Sequence, residues 1–144
     1  MDTDTRYPLK GSCNCGDIRY EVTAPFVAQI ACHCMQCQKH TQSAFSLVGA
    51  LRAGDFTITA GTPAKWTKTA DSGNRIDCYF CARCGNRIYH HNPQQPQLIR
   101  LKLGTLEDNR VINPAMHIWT ECKQPWYQIP EGVPSYPQQP PAKS

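Results

Sequence analysis

Three clusters of cysteine constrain this chain more than any other feature of its sequence. Eight of the nine cysteines lie in them. The clusters are Cys13-Asn14-Cys15-Gly16, Cys32-His33-Cys34-Met35-Gln36-Cys37 and Cys78-Tyr79-Phe80-Cys81-Ala82-Arg83-Cys84-Gly85. A tight turn between two cysteines lets both thiolates bind one ion, and a reducing compartment disfavours disulfides. Because an odd number of cysteines also cannot pair completely within one chain, the pattern indicates metal or redox chemistry.

Composition and the N-terminal sequence narrow the class of protein. The 144 residues suffice for one domain with a modest core. The 15 Lys and Arg exceed the 11 Asp and Glu by only four, which gives a net charge of +4. The sequence has no long run of Lys or Arg, so a nucleic-acid partner is not expected. The N-terminus lacks a secretory pattern, and no window reaches the roughly 18 apolar residues of a membrane span. We therefore expect a cytoplasmic protein without a membrane partner.

Several short segments alternate apolar and polar residues at period two, which is typical of half-buried strands. The apolar positions are Ile18, Tyr20, Val22, Phe56, Ile58, Ile99, Leu101 and Leu103. Residues 44–51, 64–69 and 75–80 also have strand-like composition, and 35–41 is the best candidate for a short helix. The sequence therefore predicts a mostly β fold, a single domain of several small antiparallel sheets.

The C-terminal part of the chain is rich in proline, which excludes a regular helix or central strand there. By composition, residues 138–144 are predicted to form a disordered tail. Exposed strand edges can pair with a second copy of the chain, so they are compatible with a homodimer.

Zinc is the usual ion of thiolate-rich sites, and a closed structural site needs four ligands. Two cysteine pairs distant in sequence can supply them, and the natural set is Cys13, Cys15, Cys81 and Cys84. Three thiols then remain without an obvious fourth protein ligand, namely Cys32, Cys34 and Cys37. Three ligands plus an exchangeable position is the arrangement of a reactive zinc. The alternative is a single site whose remaining cysteines are spectators or redox groups.

Three segments carry a resemblance to a known family. They are GSCNCGDIRYEV at 11–22, ACHCMQCQKHTQSAFS at 31–46 and FCARCGNRIY at 80–89. In order and spacing they resemble the glutathione-dependent formaldehyde-activating enzyme family, whose domain is shared with centromere protein V. The resemblance extends from about Pro8 to Pro137, so it implies one domain over 8–137.

The resemblance implies a β-tent fold, similar to that of a zinc-binding chaperone of Rab GTPases, with cysteine turns stapled by two zinc ions. It implies a structural zinc on Cys13, Cys15, Cys81 and Cys84. It implies a catalytic zinc on Cys32, Cys34 and Cys37. The implied reaction is that of a carbon-sulfur lyase, which reversibly joins glutathione and formaldehyde to S-hydroxymethylglutathione. The implied partners are therefore a small-molecule thiol and an aldehyde.

The implied chemistry agrees with the count of four cysteine ligands at one site and three at the other. A thiol bound at the open position of the three-cysteine zinc is held as a thiolate at neutral pH. Formaldehyde is so reactive that bringing the two reactants together is most of the task. Lys39, Arg75 or Arg87 could pair with a glutathione carboxylate. Gln42 departs from the family, whose members commonly carry glycine there, and it places a bulky side chain beside the second cluster.

The remaining candidate residues have less specific signals. Cys78 shares a period-two face with Ile76 and Phe80 and is predicted to pack in the core, while Cys122 is predicted to be a spectator. His33 is expected at the surface or behind the ligands. His40 either flanks the site or is an exposed helix residue. A last group either lines a pocket or packs in the core, namely His117, Trp119, Trp126 and Tyr127.

Two other classes of function compete with the enzyme. A noncatalytic zinc-binding interaction module would hold zinc but would not bind a thiol such as glutathione. A dithiol redox protein would cycle through disulfides in place of stable metal. Saturable binding of glutathione to the second cluster would favour the enzyme.

Overall fold

The structure, a computed structural model, describes residues 6–70 and 73–141, and strands dominate that part of the chain. The strands and the one α-helix of these residues are β1 (Leu9–Ser12), β2 (Arg19–Val22), β3 (Ala28–Cys32), α1 (Met35–Thr41), β4 (Ser46–Arg52), β5 (Phe56–Ala60), β6 (Ala64–Thr69), β7 (Arg75–Phe80), β8 (Arg87–His91), β9 (Leu98–Lys102) and β10 (Met116–Ile118). Single turns of 3-10 helix start at Ala53, Leu103, Asn109 and Thr120. Among the described residues no helix is long and apolar enough to cross a membrane.

The strands form two sheets. One has three strands in the order β1-β2-β5, and the other has seven in the order β10-β3-β4-β9-β8-β7-β6. The predicted mostly β, single-domain architecture is confirmed, and neither sheet closes into a barrel. The larger sheet departs from the expected antiparallel pairing at one place, because β10 runs parallel to β3. A parallel pair needs a long crossover connection, and here all the intervening strands supply it.

The helix begins and ends where its sequence provides caps. The Cys34 side chain accepts from the Cys37 amide, and Gln42 ends the helix in the left-handed region with φ of 54°. Glycine is the usual residue in this conformation, so Gln42 adopts it at a cost in local backbone strain.

The main hydrophobic core lies between the two sheets. Its fully buried members include Ile18, Tyr20, Leu51 and Leu101. The Tyr20 hydroxyl is 2.6 Å from the hydroxyl of Thr105, which satisfies the one polar atom of that ring. Each of these apolar side chains stabilises the fold by about 1.5–3 kcal/mol. A second, smaller cluster is centred on Cys32, Cys37 and Ile118.

The C-terminal segment packs along β10. The backbone N–H of His117 donates to Pro134 and that of Tyr136 donates back to His117. The backbone N–H of Trp119 donates to the carbonyl of Gln138, the first residue of the predicted tail. Residues 142–144 of that tail lie outside the described residues, and the limits of the 8–137 domain remain a prediction.

Candidate metal centres and adjoining cavities

Two cysteine turns from distant parts of the chain meet in a four-sulfur group, here called the closed site. Cys13 and Cys15 lie between β1 and β2, and Cys81 and Cys84 lie between β7 and β8. The four Sγ atoms lie within 4.8 Å of one another. The Cys13 and Cys15 sulfurs are 3.6 Å apart, and those of Cys15 and Cys81 are 3.7 Å apart.

These separations fit a zinc ion. Zn–S bonds of about 2.3 Å in a tetrahedron place the sulfurs roughly 3.8 Å apart. The Ile18 amide donates to the Cys13 sulfur at 3.3 Å and the Cys84 amide donates to the Cys81 sulfur at 3.4 Å. Gly16 and Gly85 close the two turns with φ of 81° and 80°, which residues with a Cβ rarely adopt. The backbone of each turn therefore has the shape that ligation requires.

Asn86 ties the two turns of the closed site together. Its side-chain oxygen accepts from the Asn14 amide at 2.9 Å. Its backbone hydrogen bond is the largest of the effects that lower the pKa of the Cys84 thiol to about 6. This thiol is therefore readily ionised, as a metal ligand must be.

The second group, the open site, comes from one short stretch of chain. Cys32 ends β3, Cys34 caps α1 and Cys37 lies in its first turn. The three sulfurs lie within 4.8 Å of one another, and the group contains no fourth His, Cys, Asp or Glu from the described residues. Hydrogen bonds with the Cys32 and Cys37 thiols lower the pKa of Cys34. The geometry is that of a three-thiolate set with one coordination position free of protein.

Side-chain hydrogen bonds hold the open site in place. His33 is fully buried, and its Nε2 lies 2.8 Å from Nδ1 of His117 on β10. The Gln38 amide donates to the carbonyls of His33 at 2.7 Å and Cys122 at 2.9 Å. Burial lowers the pKa of His33 to about 4, so this imidazole is neutral at pH 7. His33 therefore lies behind the ligands and is not one of them.

A cleft of about 510 Å³, here called the cationic cleft, lies between α1 and β6. Its lining residues are Gln36, Lys39, His40, Trp66, Thr67, Lys68, Thr69 and Arg87. The Lys68 ammonium donates to Gln36 at 2.8 Å, and the Arg87 guanidinium lies 5.6 Å from the centre of the Trp66 ring. Trp66 is 53% exposed, so the cleft presents an aromatic wall between positive charges.

A second cavity of about 950 Å³, here called the central cavity, lies beside the closed site and the end of α1. The Cys84-Gly85-Asn86 turn forms one side, and the end of α1 with Ser46 and Lys102 forms another. His40 and Arg87 line both the central cavity and the cationic cleft. The Nε2 of His40 is buried and has no hydrogen-bond partner among residues 6–70 and 73–141. Of the two interpretations of His40, the structure favours a residue flanking the site.

The structure brings some predicted residues to the cavities and leaves others elsewhere. Lys39 and Arg87 line the cationic cleft, whereas Arg75, at the start of β7, lines neither cavity. Gln42 lines the central cavity. Cys78 is fully buried, as expected for a core residue.

The aromatic candidates lie behind the open site and line neither cavity. His117 and Tyr127 pack against the His33 ring, with centroids 5.1 and 5.6 Å away. Trp119 packs on the small cluster around Cys32, while Trp126 is 70% exposed. These residues support the site and do not form its wall.

Sequence reasoning missed many of the residues that line the cavities, among them Trp66, Lys68 and Lys102. Trp66 and Lys68 share one face of β6, which their spacing of two could have indicated. Lys102 gave no signal, because its position depends on the pairing of β4 with β9.

Comparisons with known proteins agree with this geometry. A sequence profile of the glutathione-dependent formaldehyde-activating enzyme family matches residues 8–122. A protein of Halomonas elongata named "Putative glutathione-dependent formaldehyde-activating enzyme" is 24% identical, over 84% of this chain and 80% of that one. A crystal structure of a Rhodobacter sphaeroides protein superposes with a TM-score of 0.55 at 22% identity, covering 73% of this chain and 91% of that one, and shares the fold. The chain belongs to the glutathione-dependent formaldehyde-activating enzyme family.

Proposed function

We propose that this protein is a zinc-dependent carbon-sulfur lyase that reversibly adds the glutathione thiol to formaldehyde. The observation that carries the proposal is the open site, where three sulfurs converge without a fourth described protein ligand. In this proposal Cys32, Cys34 and Cys37 hold the catalytic zinc. The closed site holds a structural zinc on Cys13, Cys15, Cys81 and Cys84.

The donor set decides which chemistry the ion supplies. Zinc held by three thiolates takes a soft thiol as its fourth ligand and lowers the pKa of that thiol. The residues of the chain would position the reactants. Hydrogen bonds of His33 and Gln38 hold the cysteine loop, and the cationic cleft lies along α1, which carries Cys37. Holding a thiolate against a small aldehyde is a proximity effect, for which no elaborate acid-base machinery is needed.

The cationic cleft supports a carboxylate-bearing thiol such as glutathione. Lys39, Lys68 and Arg87 line it, and no acidic side chain is among its lining residues. The Lys68 charge also contributes to the lowered pKa of Cys34, so the cleft adjoins the open site. A thiol bound at the open site can therefore extend its carboxylates toward these cations.

An exchange measurement tests the reaction. Glutathione and formaldehyde equilibrate slowly with their adduct in buffer, and NMR exchange spectroscopy gives the interconversion rate at equilibrium. We expect the zinc-loaded protein to accelerate this exchange in a saturable way. Buffer-rate exchange on a protein that holds two zinc ions and does not bind glutathione would support the noncatalytic module instead.

A matched pair of variants tests the role of the cleft. Lys39→Gln removes a charge from the cleft, and Lys65→Gln removes the same charge from an exposed residue of β6 that does not line it. Because an exposed ion pair contributes up to ~1 kcal/mol, we expect Lys39→Gln to weaken glutathione binding about two- to fivefold, with Lys65→Gln unchanged. Isothermal titration calorimetry measures both, and equal affinities would exclude the cleft as the carboxylate site.

A further inference from the structure

The clearest feature that the proposed function leaves unused is a buried lysine. Lys102 ends β9 and is only 8% exposed. Its ammonium donates to the Ser46 hydroxyl at 3.1 Å and forms no ion pair within the described part of the chain. A buried charge without an acidic partner is costly for a fold. A lysine in this position therefore suggests a role other than stability.

Lys102 lies between the central cavity and the open site. Both Lys102 and Ser46 line the cavity, and Ser46 is paired with Cys32 across β3 and β4. Because the Lys102 ammonium bonds the Ser46 hydroxyl, it lies beside the strand pair that carries Cys32. Desolvation by burial lowers its pKa to about 8, which leaves it mostly protonated at pH 7.

The central cavity is suited to an oxygen that becomes negative during a reaction. No carboxylate is among its lining residues, and Lys102 and Arg87 supply positive charge. A donor held in a poorly solvated site stabilises a developing oxyanion far more strongly than it would in water. When a thiolate attacks an aldehyde, the carbonyl oxygen is the atom that gains this charge.

We propose that the Lys102 ammonium is a catalytic group that hydrogen-bonds the aldehyde oxygen and transfers a proton to it as the thiolate attacks. The inference rests on the proposed function. The sulfur forms a bond to the carbonyl carbon, the π electrons of C=O move to oxygen, and the oxygen takes a proton from Lys102. The product is the hemithioacetal. The thiol releases its proton to water when it ionises, and the neutral amine regains a proton from water, so the net reaction adds thiol to aldehyde. The reverse reaction follows the same path.

The decisive variant is Lys102→Met, which keeps the length of the side chain and removes the donor. Loss of one donor to an oxyanion costs on the order of 100-fold in rate, so we expect the saturated exchange rate to fall by about that factor. The content of two zinc ions and the glutathione affinity are expected to remain within about twofold of wild type. The melting temperature is expected to be unchanged or raised, because an apolar side chain suits the buried position.

Matched variants complete the test. Lys102→Gln keeps a polar partner for Ser46 and serves if methionine is not accepted by the fold. It retains a neutral donor but has no proton to transfer, so a loss of rate smaller than that of Lys102→Met is expected. Lys102→Arg keeps the charge and is expected to restore part of the rate. Lys65→Met, which removes an exposed lysine outside both cavities, is expected to leave it unchanged.

Three results have distinct meanings. A wild-type exchange rate in folded Lys102→Met and Lys102→Gln would overturn the proposal for Lys102 alone. A parallel loss of zinc or glutathione binding in these variants would also overturn it, because Lys102 would then only compensate the thiolate charges. If the wild-type protein itself gave no acceleration, the proposed function would fail and this inference with it.

Discussion

The two cysteine sites of this protein are built in opposite ways. The closed site joins two turns separated by more than 60 residues, so its ligands cross-link distant strands. The open site comes from six consecutive residues at the junction of β3 and α1. Two of its sulfurs, those of Cys32 and Cys37, are buried, whereas the closed site leaves Cys15 and Cys84 exposed.

This difference separates stability from reactivity. In the proposed function, four ligands from two segments would complete the coordination of an ion and stabilise the fold, because the segments must come together to bind it. Three ligands from one segment would leave a position open, and the loop that carries them is held at His33 by the ring of His117 and the side-chain amide of Gln38. The closed site therefore organises the chain, whereas the open site is organised by it.

The largest expected effect comes from breaking the closed site. Cys81→Ser removes a buried ligand that joins β7 and β8 to the β1–β2 turn. Structural zinc binding contributes about 10–16 kcal/mol, which is comparable with the whole stability of a domain. We expect loss of the cooperative thermal transition, measured by circular dichroism. A folded variant with one zinc would contradict the assigned role of the closed site.

A smaller global effect is expected from the same change at the open site. Cys34→Ser removes one ligand from the small cluster outside the main core. We expect a folded protein that retains one zinc and no longer binds glutathione, measured by elemental analysis and calorimetry. If this variant unfolded as completely as Cys81→Ser, the division of roles between the sites would be wrong.

The smallest expected effect is on the pH dependence of stability, and it concerns His40 on the helix that carries the open site. Burial lowers the pKa of His40 to about 3, whereas an unfolded histidine titrates near 6.5. The unfolded state therefore takes up the proton first, so the free energy of unfolding is greatest above pH 6.5 and falls as the pH drops toward 3.

Urea unfolding at pH 4 to 7 measures this dependence. We expect the free energy of unfolding to depend less steeply on pH in His40→Gln than in wild type. The difference corresponds to the uptake of up to about one proton on unfolding. His91→Gln is the control, because the His91 ring bonds only the exposed carbonyl of Pro96. Loss of zinc on acidification affects all three proteins, so their difference isolates the imidazole. Identical slopes would show that the His40 imidazole is not kept neutral by burial.

Local patterns predicted much of the fold correctly. The helix at Met35–Thr41 and the strands at Ala64–Thr69 and Arg75–Phe80 lie at the expected residues. Periodicity and capping act between residues near in sequence, which is why they can be read from it. The strands β1, β3 and β10 were not predicted, because they are short and their residues take strand form through pairing with distant partners.

The sequence by itself determined the grouping of the cysteines, because spacing within a turn fixes which thiols can share an ion. It also determined that three thiols remain after a set of four. Only the tertiary structure decided what surrounds them. The pairings of β4 with β9 and of β3 with β10 bring Lys102 and His117 to the open site from about 70 to 85 residues away. Such neighbours depend on strand order and register, which follow from the packing of the whole chain.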